Sequence, residues 1–224
     1  MVTSKTLQGA VKALRLLTDV GQPQEQRDWL RLVVHDMRLL AASGQPVTRQ
    51  QLAAAIHASP DEIGTLLQPP AVELDAQGHL IGLGLSLSPT PHQLHLGKQR
   101  FYTWCALDAL AIPAILGREG TVVSHCPAIR KEIHVQVSPE RLLDLEPSST
   151  VVSAVIPEDE ASARDTICHH GHFFASHEAA SRWPSLYPGA VILPAEEAAE
   201  LGRELARQFQ ALAQEPDEYH QYSI

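Results

Sequence analysis

Cysteine is scarce in this sequence. Cys105, Cys126 and Cys168 are the only three in 224 residues, and they are scattered, with no Cys-x-x-Cys pair. That excludes a disulfide framework, and in a reducing compartment all three are expected to be free thiols. Long apolar runs are also missing. No stretch approaches membrane-spanning length, and residues 1–20 lack the uninterrupted apolar core of a signal peptide, so a cytoplasmic protein that does not enter the membrane is expected. Positive charge is short: 17 Lys and Arg face 26 Asp and Glu, for a formal charge of -9. Such a balance argues against general affinity for nucleic acid or anionic lipid and points to a small-molecule partner. Finally, the chain has no βαβ rhythm, which leaves an α+β fold.

The length allows one large domain or two small ones, and two are expected. Residues 1–22 read as an N-terminal helix or arm, with Ala10, Val11, Leu14 and Leu17 at helical spacing. Residues 23–83 read as a winged-helix-like module. Trp29, Leu30, Val33, Val34, Met37, Leu40 and Ala41 repeat at helical period until Ser43-Gly44. Thr48 then caps a second helix, and Ser59-Pro60-Asp61-Glu62 opens a third by cap, proline and early acids. Residues 72–81 form a hairpin. In a helix-turn-helix protein the third helix would carry base contacts. Here it offers Asp61 and Glu62 and no Lys or Arg, so packing is the better role for the module. Residues 82–91, rich in Gly, Ser and Pro, read as the connection to a mixed α/β catalytic domain over residues 84–224.

Within that domain the periodicities predict a hairpin over residues 92–103, a helix from Cys105 broken by Pro113 and Gly117, and paired strands at 121–126 and 132–137. A short helix follows over 138–145, then strands at 150–156 and 166–175, a helix over 176–186, a strand at 191–193 and a closing amphipathic helix over 194–212.

Residues 101–110 carry the most informative chemistry. If they are helical, Cys105 and Asp108 share a face about one turn apart. Thr103 is then the N-cap, and Cys105 lies in the first turn, where the helix dipole favours a thiolate. A buried free cysteine beside an aspartate with a backbone partner would be the plainer reading. Asp108 argues against it, because a charge among Leu107, Ala109, Leu110 and Ile112 is costly unless paired or neutralised. That setting favours a carboxyl that is easily protonated. Two chemistries then compete. In one, Cys168, His170 and His172 alternate on a strand and join His125 and Cys126 in a zinc or copper site. In the other, Cys105, Cys168 and Asp108 combine as two soft thiolates and a proton-bearing acid, which calls for a soft electrophile.

The segment Trp104-Cys105-Ala106-Leu107-Asp108, then Ser124-His125-Cys126, then Cys168 followed by His170, His172, Phe173, Phe174, Ala175 and Ser176, resembles the bacterial alkylmercury lyase (organomercurial lyase) family, and the likeness runs from the N-terminal module to the last helix. The resemblance implies a carbon–mercury lyase in which Cys105 and Cys168 bind the mercury of substrate and product, Asp108 handles the proton and Cys126 is structural. It implies no organic cofactor, turnover supported by cytosolic thiols, organomercurial small molecules as substrates, and mercuric reductase as the acceptor of Hg(II). Some members have a second cysteine directly after the one matching Cys168; this chain has His169, which bears on accessory mercury handling. The competing reading is a metal-responsive winged-helix regulator with a Cys/His sensor site.

Overall fold

A run of helix-forming residues with an apolar stripe gives the first described element, α1 (Gln24–Ser43), which buries Leu30, Val33, Val34, Met37, Leu40 and Ala41. The computed structural model describes residues 24–67, 72–155, 168–187 and 189–214. The helix anticipated in the first arm therefore lies outside the described residues. Gly44, at φ 67°, turns the chain out of α1. Thr48 and Gln51 form a capping box that starts α2 (Arg49–Ile56), and Ser59 and Glu62 form another that starts α3 (Pro60–Leu66). A hairpin of β1 (Glu73–Leu74) and β2 (Leu80–Leu83) follows.

The hairpin is continuous with what comes after it. Strands β3 (Leu85–Ser86), β4 (His92–Leu96), β5 (Gln99–Thr103), β6 (Gly120–His125), β7 (Glu132–Val137) and β8 (Leu142–Glu146) join it in one antiparallel sheet of order β1-β2-β3-β5-β4-β6-β7-β8. A connecting role for residues 82–91 needs correction, because β3 pairs with both β2 and β5 and carries the sheet across this stretch. A second, three-stranded sheet places β9 (Val151–Val155) between β10 (Phe173–Phe174) and β11 (Ala190–Pro194).

Helix α4 (Ala106–Leu116) follows β5 directly and is apolar on every side, the pattern of a helix buried all round. It packs against the closing helix α7 (Ala195–Gln214). Pro113 does not break α4. Buried Ile112 and Ile115 hold its last turn in place, and Gly117, at φ 64°, ends it.

Three further expectations need correction. Residues 138–145 are not helical: the Ser138 hydroxyl accepts the Glu140 and Arg141 N–H groups in a turn, after which β8 pairs along the edge of β7. The expected strand over 166–175 is not continuous: Cys168–His170 is a single 3-10 turn, and among the described residues of the stretch only Phe173–Phe174 joins the sheet. Residues 176–186 form two short helices, α5 (His177–Ala180) and α6 (Trp183–Leu186), because Pro184 has no N–H with which to continue a helix from α5.

At the α4–α7 crossing, a Cβ on Gly202 would lie 3.1 Å from the backbone of Leu110 and Ala111. Alanine there gains up to about 1 kcal/mol of helix propensity but forces apart two buried helices, at a cost of roughly 1–3 kcal/mol. Gly202→Ala should therefore lower the melting temperature; an unchanged or higher value would contradict this packing. Asp36 on α1 is fully buried, and neither carboxylate oxygen has a hydrogen-bond partner among the described residues. Burial pushes its pKa up to about 8. The unfolded carboxyl titrates near 3.9, so between those values the folded state holds the extra proton and stability falls as pH rises. Asp36→Asn should flatten this dependence and raise the melting temperature at pH 8; an unchanged slope would contradict the assignment.

Candidate active site

Strand β5 delivers the chain to the site. Thr103 is buried at its end, with its hydroxyl donating to the Cys105 carbonyl at 3.0 Å, while its own carbonyl accepts from Thr90 Oγ1 at 2.7 Å. Thr103 is therefore not the N-cap of α4. Cys105 itself is, with an extended backbone (φ -144°, ψ 173°). Its Sγ accepts the Asp108 N–H at 3.4 Å, and Asp108 Oδ2 accepts the Cys105 N–H at 3.2 Å. This is a capping box in which sulfur takes the place of the usual hydroxyl. It explains why a carboxylate tolerates an otherwise apolar helix: the helix N-terminus offers it an unpaired donor and a favourable dipole.

The second thiol comes from the 3-10 turn. Cys168 Sγ lies 3.8 Å from Asp108 Oδ2 and donates to it. One carboxylate oxygen thus receives both the N–H of one cysteine and the S–H of the other. Sγ of Cys105, a carboxylate oxygen of Asp108 and Sγ of Cys168 all lie within 4.8 Å of one another, the one such His, Cys, Asp or Glu group among the described residues. Backbone bonds fix the arrangement: Trp104 N–H donates to the Gly84 carbonyl at 3.1 Å, and Ala106 N–H donates to the Gly171 carbonyl at 2.9 Å. The latter ties the first turn of α4 to the loop that carries Cys168.

Burial raises the Asp108 pKa to about 6, against the lowering effect of its hydrogen bonds to Cys105 and Cys168. The carboxyl is thereby placed where it can exchange a proton near neutral pH. Hydrogen bonding with the Cys168 thiol, burial and the neighbouring Asp108 carboxylate push the Cys105 thiol well above its ordinary value. At rest the Cys105 sulfur therefore keeps its proton.

The alternative metal set does not assemble. Cys126 is fully buried beyond the end of β6, where its N–H and carbonyl close the turn through Lys131 and Arg130. His125 is exposed and faces Glu132 at 3.7 Å. His170 stacks on Tyr187, while His172 packs between His92 and Trp183. His92 is buried with Nδ1 at 2.8 Å from Ser124 Oγ, and burial pushes its pKa down to about 3. These imidazoles form an aromatic support beside the Cys168 loop. His92 carried no recognisable motif in the sequence, and neither did Gly84, Thr90, Ser153 or Trp183, whose contributions depend on which strands become neighbours.

A profile of the family described as alkylmercury lyase matches residues 85–207. Among individual relatives, an alkylmercury lyase of Staphylococcus epidermidis is 41% identical over 172 residues, covering 76% of this chain and 80% of that protein. One from Pseudomonas putida is 43% identical over 164 residues, covering 73% and 77%. One from Bacillus cereus is 36% identical over 205 residues, covering 91% and 93%. Among solved structures, the crystal structure of the mercury-bound form of MerB2 superposes with a TM-score of 0.72 at 25% identity, covering 92% of this chain and all of that one.

Because Cys126 lies apart from the Cys105–Asp108–Cys168 cluster in a fully buried turn, Cys126→Ser should act through stability. A buried hydroxyl without a partner costs roughly 1–3 kcal/mol. A denaturant melt should register that loss while the folded fraction keeps its mercury chemistry; a well-folded but inactive variant would contradict it.

Proposed function

The chain belongs to the alkylmercury lyase family and is an organomercurial lyase; from that premise we propose that Cys105 and Cys168 hold the mercury and that Asp108 carries the proton to carbon. The observation that supports these roles most is the shared carboxylate oxygen, 3.2 Å from the Cys105 amide nitrogen and 3.8 Å from the Cys168 sulfur. The mercury-bound form of the related MerB2 adds support for mercury as the ion the cluster takes.

A carbon–mercury bond has little ionic character, so its cleavage requires both a leaving carbon made more basic and a proton delivered to it. Two thiolates meet the first need, since Hg(II) is soft and sulfur donates electron density to it. Cys105 attacks the organomercurial and displaces its original thiol ligand, which leaves with the proton. Cys168 then adds to the same mercury and passes its proton to Asp108 Oδ2. Asp108 returns that proton to the carbon as the carbon–mercury bond breaks. The products are the hydrocarbon and a mercury bound by two cysteine sulfurs, with Asp108 again a carboxylate. The raised carboxyl pKa suits both halves of this transfer.

In this reading the enzyme needs no organic cofactor or resident zinc, and works in the cytoplasm. Hg(II) leaves by exchange with cytosolic thiols or directly to mercuric reductase. No described helix is long and apolar enough to cross a membrane. The winged-helix-like module, residues 23–83, serves the catalytic domain, residues 84–224, as packing rather than as a DNA reader: the first turn of α3 carries Asp61 and Glu62. Met37 of α1 reaches the neighbourhood of the site: a Cβ added to Gly84 would lie 2.7 Å from its Cε and 4.0 Å from Asp108 Oδ1.

Protein incubated with excess thiol and methyl- or phenylmercury should release methane or benzene and inorganic mercury. Cys105→Ser and Cys168→Ser should each reduce hydrocarbon to the thiol blank, because a hydroxyl is too hard a ligand for Hg(II). Hydrocarbon release that survives either substitution would overturn the two-thiol assignment.

A further inference from the structure

The turn that carries Cys168 has almost no regular structure of its own: a single 3-10 turn, a glycine, and then a two-residue strand. Its position relative to Cys105 must be set by bonds to neighbouring elements. Bonds from Ser153, Trp183 and Ala106 converge on the peptide groups just after Cys168, and two of the donors, Ser153 Oγ and Trp183 Nε1, are side chains outside the cluster.

Resting on the assignment of the two mercury thiols given above, we propose that Ser153 is a positioning residue for the reaction, and that its hydroxyl, together with the Trp183 indole, holds Cys168 at bridging distance from Cys105. Ser153 sits in the middle of β9 and is fully buried. Its Oγ donates to the His170 carbonyl at 2.6 Å and accepts the His172 N–H at 2.9 Å. Its own N–H donates to the His172 carbonyl at 3.0 Å. The His170 carbonyl receives a second donor, Trp183 Nε1, at 3.2 Å. Between these two anchored peptides lies Gly171, whose carbonyl takes the Ala106 N–H from the first turn of α4.

Ser153 therefore links the central strand of the smaller sheet to both sides of the peptide that touches the thiol helix. Removing its hydroxyl strips one donor from the His170 carbonyl and the acceptor from the His172 N–H at a fully buried position. The strand itself keeps its ladder to β11, where Ser153 is paired with Ile192, so the smaller sheet can persist. Trp183 is fixed by edge contacts with Phe174 at 5.3 Å and His172 at 5.1 Å, so its N–H is held ready rather than searching for an acceptor. Misplacement of a reacting group by about 1 Å is enough to cost on the order of a hundredfold in rate.

Two readouts on the full-length protein separate positioning from general stability. The first is single-turnover hydrocarbon release from methylmercury, alongside capture of methylmercury at Cys105. The second uses Hg(II) alone: one equivalent is added, and the thiols still open to a disulfide reagent are mapped by mass spectrometry. In the wild type both Cys105 and Cys168 should be protected by one bridging mercury. Folded Ser153→Ala should capture methylmercury normally, release hydrocarbon roughly tenfold to a hundredfold more slowly, and leave Cys168 open to the reagent. Ser153→Thr, which restores the hydroxyl, should recover protection of Cys168. Trp183→Phe keeps a ring but loses the donor, and should show the same pattern in weaker form; it decides the matter if Ser153→Ala does not fold. Wild-type release and full protection in folded Ser153→Ala, or in Trp183→Phe should the first not fold, would overturn the proposal. Absence of hydrocarbon from the wild type would instead count against the lyase roles, while the Hg(II) protection pattern would still report on positioning.

Discussion

Everything in this site depends on one carboxylate oxygen. Asp108 Oδ2 completes the cap of α4 by accepting the Cys105 N–H, and the same atom accepts the Cys168 thiol from a different part of the chain. A free carboxylate would be expelled from such an apolar helix. Here the unpaired donor at the helix N-terminus retains it, and burial raises its pKa to about 6 instead of neutralising it outright. In the proposed mechanism structural and chemical roles are thus combined in one group, with the acid hydrogen-bonded to the backbone of one cysteine and the thiol of the other.

The fold serves this arrangement by supplying rigid walls from sequence-distant elements. Helix α4 brings Cys105 and Asp108 as one unit and is locked by close approach of α7 at Gly202. The connections between strands of the large sheet supply Gly84 and Thr90, which hold the N–H and the carbonyl of the peptide joining Thr103 to Trp104. The smaller sheet holds the Cys168 turn through Ser153. The thiol pair is therefore a meeting of two sheets and one helix, and its spacing depends on backbone bonds such as Ala106 to Gly171.

The spacing of Cys105 and Asp108 stood out in the sequence because an aspartate three residues after a cysteine, among leucines and alanines, has few stable explanations. Grouping them with Cys168 was one of two alternatives there, favoured by the family resemblance, and the fold brings the three side chains together. The α+β class was legible as well, from the absence of βαβ rhythm and the alternating patterns of β6 and β7. Errors arose where a local signal met a stronger tertiary partner. Thr103 has the chemistry of an N-cap, yet β3 and β4 claim it as a strand residue and leave the cap to Cys105. Ser138 offers a helix start, but the open edge of β7 takes the following residues as a strand. The His-rich stretch alternates like a strand, while Ser153 and Ala106 draw its backbone into a turn. Ser153 itself was invisible, since a serine in a β-rich run signals nothing until its neighbours are known.

The central claim, that Asp108 carries the proton between sulfur and carbon, is tested most directly by Asp108→Asn. Asparagine keeps the size and much of the hydrogen bonding of the side chain but cannot take a proton from a thiol and return it. Single-turnover hydrocarbon release should be measured beside a thermal melt and the stoichiometry of bound organomercurial. The account predicts a folded variant that still captures methylmercury at Cys105 and releases methane about a hundredfold to ten-thousandfold more slowly. Near wild-type release from well-folded Asp108→Asn would contradict it.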